Sequence, residues 1–575
     1  MASERRNRSI RLAVAAATVV GLASTSGAAA ARPEPAARPR SAAPEPVSGG
    51  HLTVSGEAEV ANPWLPSTML CDAYCYVRAR MFFDQLAVFG DDGEVHGWLA
   101  SSIEPNDDYS QWTITLREGV TFTDGTPVDA DAVMFNLQET GTSLLVQTAV
   151  TDVAKVADPE NPERTLLKME KVDDLTFTIF TGRNGDPEQP ITWTALPHLL
   201  TGQWGLIASP QWLRDVKDDA ALATQPVGSG PFTVESYAPR EALELVRNPD
   251  YWVTDADGEQ LPYLDSITFR VIEDSQVAYE ALQNGDIDLM SSSNATAIAD
   301  ALADGEHAVS LQDDYAETAF LLIDLAKPPF DDRRVRCALS MAIDREEVIE
   351  TGGSETVIKV ANGVFGPGQQ GYLEDNGFDT AQDLETAAAL IEEYEAEVGD
   401  VAFTFGHVPS ESIVILAEQL QGWWSEIGAD VQLQSIIQGD LITNAIFGTP
   451  QFQIFAWRQH GGVLIDEQYL WWHSKNAKPD GELSLNMARI DDPDIDAGLD
   501  AARSALTAEE AQAAAEDVNR AFAEQCYNIP LTTQPFSIIS RPGVGGVDTL
   551  DTPEGAPLME RGGMVWLQSV FLAEE

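Results

Sequence analysis

The chain has 575 residues, 44% of them hydrophobic and 22% charged. That is globular composition and enough length for two or three domains. Its 92 acidic residues against 34 basic ones give a formal net charge of −58, a field that repels nucleic acid and anionic lipid and is eased by salt.

Residues 1–31 have the layout of an export signal. A basic start carries Arg5, Arg6, Arg8 and Arg11, an apolar run spans Leu12 to Ala23, and "SGAAAAR" offers small residues for cleavage near Ala30 or Ala31. A retained membrane anchor is the alternative, but the run is rich in Ala, Ser and Thr and barely long enough to span. No cysteine follows it, so the usual bacterial lipid attachment is not available. Residues 32–48, "RPEPAARPRSAAPEPVS", read as an extended Pro/Ala-rich tether.

"HLTVSG" (51–56) predicts a first strand, and "CYVRARMFFDQLAVF" has the apolar spacing of a helix. "QWTITLREGVTF" alternates as a half-buried strand does. A helix follows, with Asp129 as N-cap and Val133, Met134 and Leu137 on its apolar face. Strands are predicted in "KVDDLTFTIFTG", "EALELVRNPDYW" and "YLDSITFRVIED", then a helix in "SQVAYEALQNG" and short buried strands in "IDLM" and "TAFLLIDL". "DDRRVRCALSMAIDREEVIE" predicts one capped helix, and "ESIVILAEQLQGWWSEIGADVQLQSI" a helix, a glycine turn and a strand. "AEEAQAAAEDVNRAFAEQC" is a helix and "NIPLTTQPFSI" a strand. The alternation is mixed α/β in more than one lobe.

Motifs of chemistry are scarce. "VGSGPFTVESY" (227–237) is glycine-rich, but no Lys follows, Pro231 removes an N–H, and a strand lies beyond, so it is not a phosphate loop. No H-E-x-x-H or G-x-S-x-G occurs, and the seven histidines have no metal-ligand spacing. The four cysteines of an exported chain permit two disulfides in three connectivities. Cys71 and Cys75 could close a small loop, leaving Cys337 and Cys526 as a long-range staple; buried free thiols are the alternative.

A series of segments carries a resemblance: "WTITLREGVTFTDGTPVDADAVMFNL" (112–137), "VGSGPFTVESY", "LVRNPDYW" (245–252), "ALQNGDIDLM" (281–290), "PPFDDRRVRCALSMAIDREEVI" (328–349) and "LQGWWSEIGADVQL" (420–433). In this order they resemble the extracellular solute-binding proteins of ABC importers, in the dipeptide, oligopeptide and nickel-binding family 5, over nearly the whole mature chain. The resemblance implies an α/β class II periplasmic-binding-protein fold, with a ligand cleft between two lobes and a subdomain inserted in the first. Mapped onto this sequence, the first lobe takes 49–97, 205–318 and 535–575, the inserted subdomain 98–204, and the second lobe 319–534. It implies no catalysis, no cofactor and no metal. It implies a monomer that takes a small-molecule ligand (peptide, sugar or chelate) and docks on a membrane permease. The glycines of "VGSGP" would then allow unusual backbone angles where the chain re-enters the first lobe.

The family's second lobe supplies a strand-end Trp in a pattern like G-W-x-x-D-x-x-D-P, whose first Asp holds a peptide's α-amino group in the peptide binders. Here the stretch is "FAWRQHGGVLIDEQYLWWHS": Trp457 matches the Trp, His460 stands where that Asp would be, and Asp466 falls near the later one with different spacing. Trp457 is the leading ligand contact, by stacking, with a core role as the alternative. Arg458 could pair with a ligand carboxylate or with an internal acid. Trp471 or Trp472 could wall the cleft. Trp423 and Trp424 read as core. Trp64 follows the first strand at a position where open α/β sheets bind ligands. Asn486 falls where the family has an Asn near the cleft, or caps a turn. Two other readings stand beside import: an exported binding protein serving a sensor, and a secreted hydrolase.

Overall fold

A computed structural model describes residues 45–573, except 61, 144–145, 353–355, 449–450 and 459–461. The export segment and most of the tether lie outside the described residues. Among those described, no helix is long and apolar enough to cross a membrane.

Eleven strands form the main sheet. In chain order they are β1 (His51–Gly56), β2 (Phe232–Ala238), β3 (Ala242–Arg247), β4 (Ser266–Val271), β5 (Leu289–Ser292), β6 (Ala308–Ile323), β7 (Lys359–Val360), β8 (Ala402–His407), β9 (Asp430–Ser435), β10 (Ile454–Arg458) and β11 (Ile529–Ser540). Their spatial order is β2-β3-β4-β1-β5-β11-β6-β10-β8-β9, with β7 paired to β11 off this path. β1 runs parallel to β4 and β5, and β8 runs parallel to β9 and β10. Each half thus carries three adjacent parallel strands, extended in the first half by the antiparallel β2 and β3, and the antiparallel pair β6 and β11 joins the halves. This is the two-lobed class II periplasmic-binding-protein fold, with an inserted subdomain.

β6 corrects a prediction. "TAFLLIDL" is the apolar end of a 16-residue strand that begins at Ala308. Its first half, "AVSLQDDYAE", is polar and gives no strand alternation. Its backbone pairs with β11 at residues 308–312 and again from Glu317. The β6–β11 register breaks between Gln312 and Glu317. Tyr315 sits there at φ 61°, a left-handed conformation that β-bulges use to bend a strand.

Separate cores back the halves. Leu52, Val54, Ile267, Phe269 and Leu289 pack with Ile538, Val565 and Leu567 on one side. Leu321, Ile323, Phe405, Val431 and Ile454 pack with Trp424 and Leu420 on the other. A third body surrounds a four-stranded antiparallel sheet of Ala100–Pro105, Gln111–Leu116, Thr176–Phe180 and Met169–Lys171. Its helix over residues 130–140 starts where predicted, with the Asp129 carboxylate accepting from the Ala132 N–H.

Two helical predictions are shortened. "CYVRARMFFDQLAVF" is helical only over α1 (Ala73–Ala79), after which it forms short strands at 84–85 and 87–89. The first of these strands carries Asp84, a buried carboxylate that accepts from Trp98 Nε1, Ser229 Oγ, Tyr251 Oη and Trp252 Nε1. Burial pushes its carboxyl up to about 6, against the pull of these donors. "DDRRVRCALSMAIDREEVIE" is split into α2 (Arg333–Met341) and a helix at Arg345–Gly352, because the Asp344 side chain accepts from the Glu347 N–H and starts a new turn. "ESIVILAEQLQGWWSE" is one helix, α3 (Glu411–Glu426). α4 (Pro493–Ser504) and α5 (Ala508–Gln525) pack side by side.

Ser229 explains the "VGSGP" turn, and one expectation about it is corrected. Neither Gly228 nor Gly230 has a positive φ. Both are needed for close approach: a Cβ on Gly228 would overlap the Phe82 carbonyl oxygen, and one on Gly230 would lie 2.7 Å from the Phe82 carbonyl carbon. The structure joins Cys71 with Cys75 at the start of α1, and Cys337 in α2 with Cys526 at the C-cap of α5.

Candidate functional site

β10 ends at the middle of the molecule. It pairs with the far half of β6, so that Trp457 lies opposite Phe320 and Arg458 opposite Ala319. Alternation puts Phe455 and Trp457 on one face, ring centres 5.7 Å apart. Phe320, Leu322, Trp457, Arg458, Gln468, Trp471, Trp472 and Asn528 line a cavity of about 20 Å³, room for about one water molecule. Trp457 and Trp471 are half-buried, while Trp472 is buried against Phe365 and Phe522. The Asn528 side-chain oxygen is buried with no hydrogen-bond partner among the described residues.

Arg458 leaves the second half of the sheet and reaches the first. Its Nη1 donates to Ser293 Oγ at 3.1 Å, its Nε lies 3.6 Å from Glu317, and its Cζ sits 5.3 Å from the Phe536 ring centre. The side chain is 40% exposed, so its ion pair is weak and exchangeable. Ser293 follows β5 and is fixed by Glu57, which follows β1. The Glu57 carboxylate accepts from Ser275 Oγ, Ser292 Oγ, and the backbone N–H and hydroxyl of Ser293. Glu57, Ser293 and Arg458 therefore form a polar chain across the two halves.

The other candidates are distributed differently. Trp64 does not line this cavity: its ring is wholly buried in the core behind β1, against Phe82 and Tyr237, with Arg78 over its face at 5.3 Å. Asn486 is also wholly buried, and its amide holds a turn together. Nδ2 donates to the carbonyls of Trp472, His473 and Ile490, and Oδ1 accepts from the Ile490 N–H. His460 lies outside the described residues. Trp424 is core, with Nε1 donating to the Leu339 carbonyl.

Asp466 is 4% exposed and faces the third body. It accepts from Arg503 Nε at 2.6 Å and Trp193 Nε1 at 2.8 Å, and lies 3.5 Å from His198. Arg503 Nη1 and Lys475 Nζ in turn donate to Asp152 at 2.9 and 2.7 Å. Burial opposes ionisation of Asp152, but Lys475 and Arg503 outweigh it and hold its carboxyl below the usual range. This network clamps the third body to the half carrying β10.

Sequence reasoning missed Glu57, Ser293 and Asn528. Glu57 had a readable signal, since it directly follows a parallel strand at its C-terminal end. Ser293 and Asn528 had none, because only the crossing strands bring them to the site. Among the described residues, no group of three or more His, Cys, Asp or Glu is arranged to hold a metal ion.

Comparisons with known proteins converge. Residues 94–480 match the family model described as bacterial extracellular solute-binding proteins, family 5 Middle. The nickel-binding periplasmic protein of Escherichia coli is 23% identical over 85% of this chain and 91% of its own length. The protein y4wM of Sinorhizobium fredii is 29% identical over 54% of this chain, and the match spans less than half of it, 46%. Among solved structures, the ABC transporter-associated periplasmic binding protein DppA from Helicobacter pylori, in complex with peptide STSA, superposes with a TM-score of 0.75. It covers 92% of this chain and 99% of that one at 19% identity.

Proposed function

The chain belongs to the bacterial extracellular solute-binding proteins, family 5, and on that premise we propose that it captures a small organic solute between its lobes and delivers it to an ABC permease for import. The observation that carries this reading is the half-buried Trp457 and Trp471 pair, set at the junction of the two sheet halves beside the Glu57–Ser293–Arg458 chain. An indole face and a guanidinium with a loose, exchangeable partner are what a solute with an apolar body and polar ends requires. The lobes close around the solute by bending at the β6–β11 crossing, and the closed form docks on the permease. No bond in the solute is made or broken; closure follows from tighter binding to one of two states.

The chain acts outside the cytoplasm, exported by residues 1–31, as a monomer. His460 stands where the peptide binders' amine-holding Asp would be, which favours solutes other than free-amine peptides. A thermal-shift screen over peptides, sugars, organic acids and chelates tests the reading. A cognate solute at a hundred times Kd adds roughly 2.7 kcal/mol of stability. Trp457→Ala is expected to weaken that solute's binding at least tenfold in calorimetry while the variant stays folded. Unchanged affinity would remove Trp457 from the site, and turnover of the solute would sink the non-enzymatic reading.

A further inference from the structure

β10, β6 and β11 run side by side under the Trp457 cavity. Trp457 lies opposite Phe320 of β6, and Phe320 lies opposite Pro530 of β11. Alternation sorts their side chains between two faces. Leu321, Ile323, Ile454 and Ile529 pack into one core. Phe320, Leu322, Phe455 and Trp457 face the other way and pack with Trp471 and Trp472. Asn528, one residue before β11, falls on this second face. The register that sets Leu321 opposite Ile529 brings it level with Leu322, and both residues line the cavity.

The two ends of the cavity differ. Arg458, 40% exposed, is level with Ala319, which is three residues from Leu322 and so about 10 Å along the strand. Asn528 is 3% exposed, and its side-chain oxygen has no hydrogen-bond partner among the described residues. Gln468, the other amide of the wall, has a partner. On the far side of Asn528 a gap lined by Gly363, Phe378 and Asn519 has no room for a water molecule, so a donor reaches the amide from the cavity. A buried acceptor is disfavoured until a donor reaches it. Arg458 is the one charged residue of the wall. An ammonium would therefore enter without a counter-charge, which is strongly disfavoured. The cavity of about 20 Å³ matches the size of a hydroxyl and is too small for a carboxamide.

We propose that Asn528 is a specificity-determining residue at the enclosed end of this site. Its side-chain oxygen accepts from a hydroxyl carried on an apolar part of the solute, so the solute is an alcohol rather than an amine. The assignment rests on the solute-binding reading above. Its test uses the full exported chain labelled with fluorotryptophan, and follows the Trp457 and Trp471 signals by fluorine NMR. The probes are ethanol and acetonitrile, which are similar in size, but only ethanol has a donor. The wild type is expected to give a saturable shift with ethanol, at an affinity about fivefold above that for acetonitrile. Asn528→Leu, close in shape but without the amide, is expected to bind the two probes equally. No saturable shift with ethanol, equal binding of both probes by the wild type, or a preference that survives in Asn528→Leu overturns the assignment. The comparison on the wild type decides the matter if Asn528→Leu does not fold. A solute found in the thermal-shift screen and bound equally by wild type and Asn528→Leu overturns this role while leaving solute capture standing. An ethanol preference that depends on Asn528, with no screened solute bound, does the reverse.

Discussion

Gly228 lies so close to the Phe82 carbonyl that no side chain fits, and Ser229 between the two glycines donates to buried Asp84 at 2.8 Å. The turn is a lock between the strand entering β2 and the segment after α1. Its obstruction is backbone, so relief requires a shift of the chain. Gly228→Ala is expected to destabilise the protein by about 3 kcal/mol, read as a lower urea midpoint at unchanged slope. A variant as stable as the wild type would show that the turn has slack. The same scale separates the tryptophans. Trp457, Trp64 and Trp424 are alike as letters, yet one is half-buried at the cavity and two are core. Trp424 was legible because Leu420 and Ile427 share its helical face. Trp64 was not, because the ring turns back under β1 from a loop without periodicity.

At the scale of elements, the crossing pair β6 and β11 and the Asp152–Arg503–Asp466 network decide how the bodies are held. The network joins α4 and Lys475 to the body carrying Asp152, Trp193 and His198. Asp152→Asn leaves Arg503 and Lys475 short of a carboxylate and is expected to cost about 3 kcal/mol at pH 7. Because the folded Asp152 carboxyl is held low, its contribution is complete above the ordinary carboxylate range. It is lost as pH falls through the lowered value. The gap between wild type and variant in urea melts should therefore be full at pH 6 and narrow below about pH 4. A gap that persists at the lowest pH would mean that the amide perturbs packing rather than charge. The strand ends of this scale were largely readable, as β1, α3 and β11 show. The polar first half of β6 was not, since its order comes from a partner more than two hundred residues away.

Over the whole molecule, a net charge of −58 sets a repulsion that every local pairing works against. Raising NaCl from low salt toward about 1 M shortens the screening length to about 3 Å. The melting temperature is expected to rise across that range by differential scanning calorimetry; a fall would show that exposed ion pairs outweigh the repulsion. The sequence by itself determined the mixed α/β alternation and the acidic surface, because these rest on periodicity, turn chemistry and composition, which are local or additive, and its ordered motif segments carried the family resemblance. The resemblance singled out Trp457 and Arg458, and in the structure both line one cavity. Only the tertiary structure decided that Trp64 and Asn486 are enclosed, that Asp466 serves a clamp, and that Ser293, held by Glu57, meets Arg458. It alone decided that the Arg80 Nε is buried with no hydrogen-bond partner among the described residues. Those outcomes depend on which side chains two distant strands bring within a few ångströms, and a one-dimensional pattern carries no record of that.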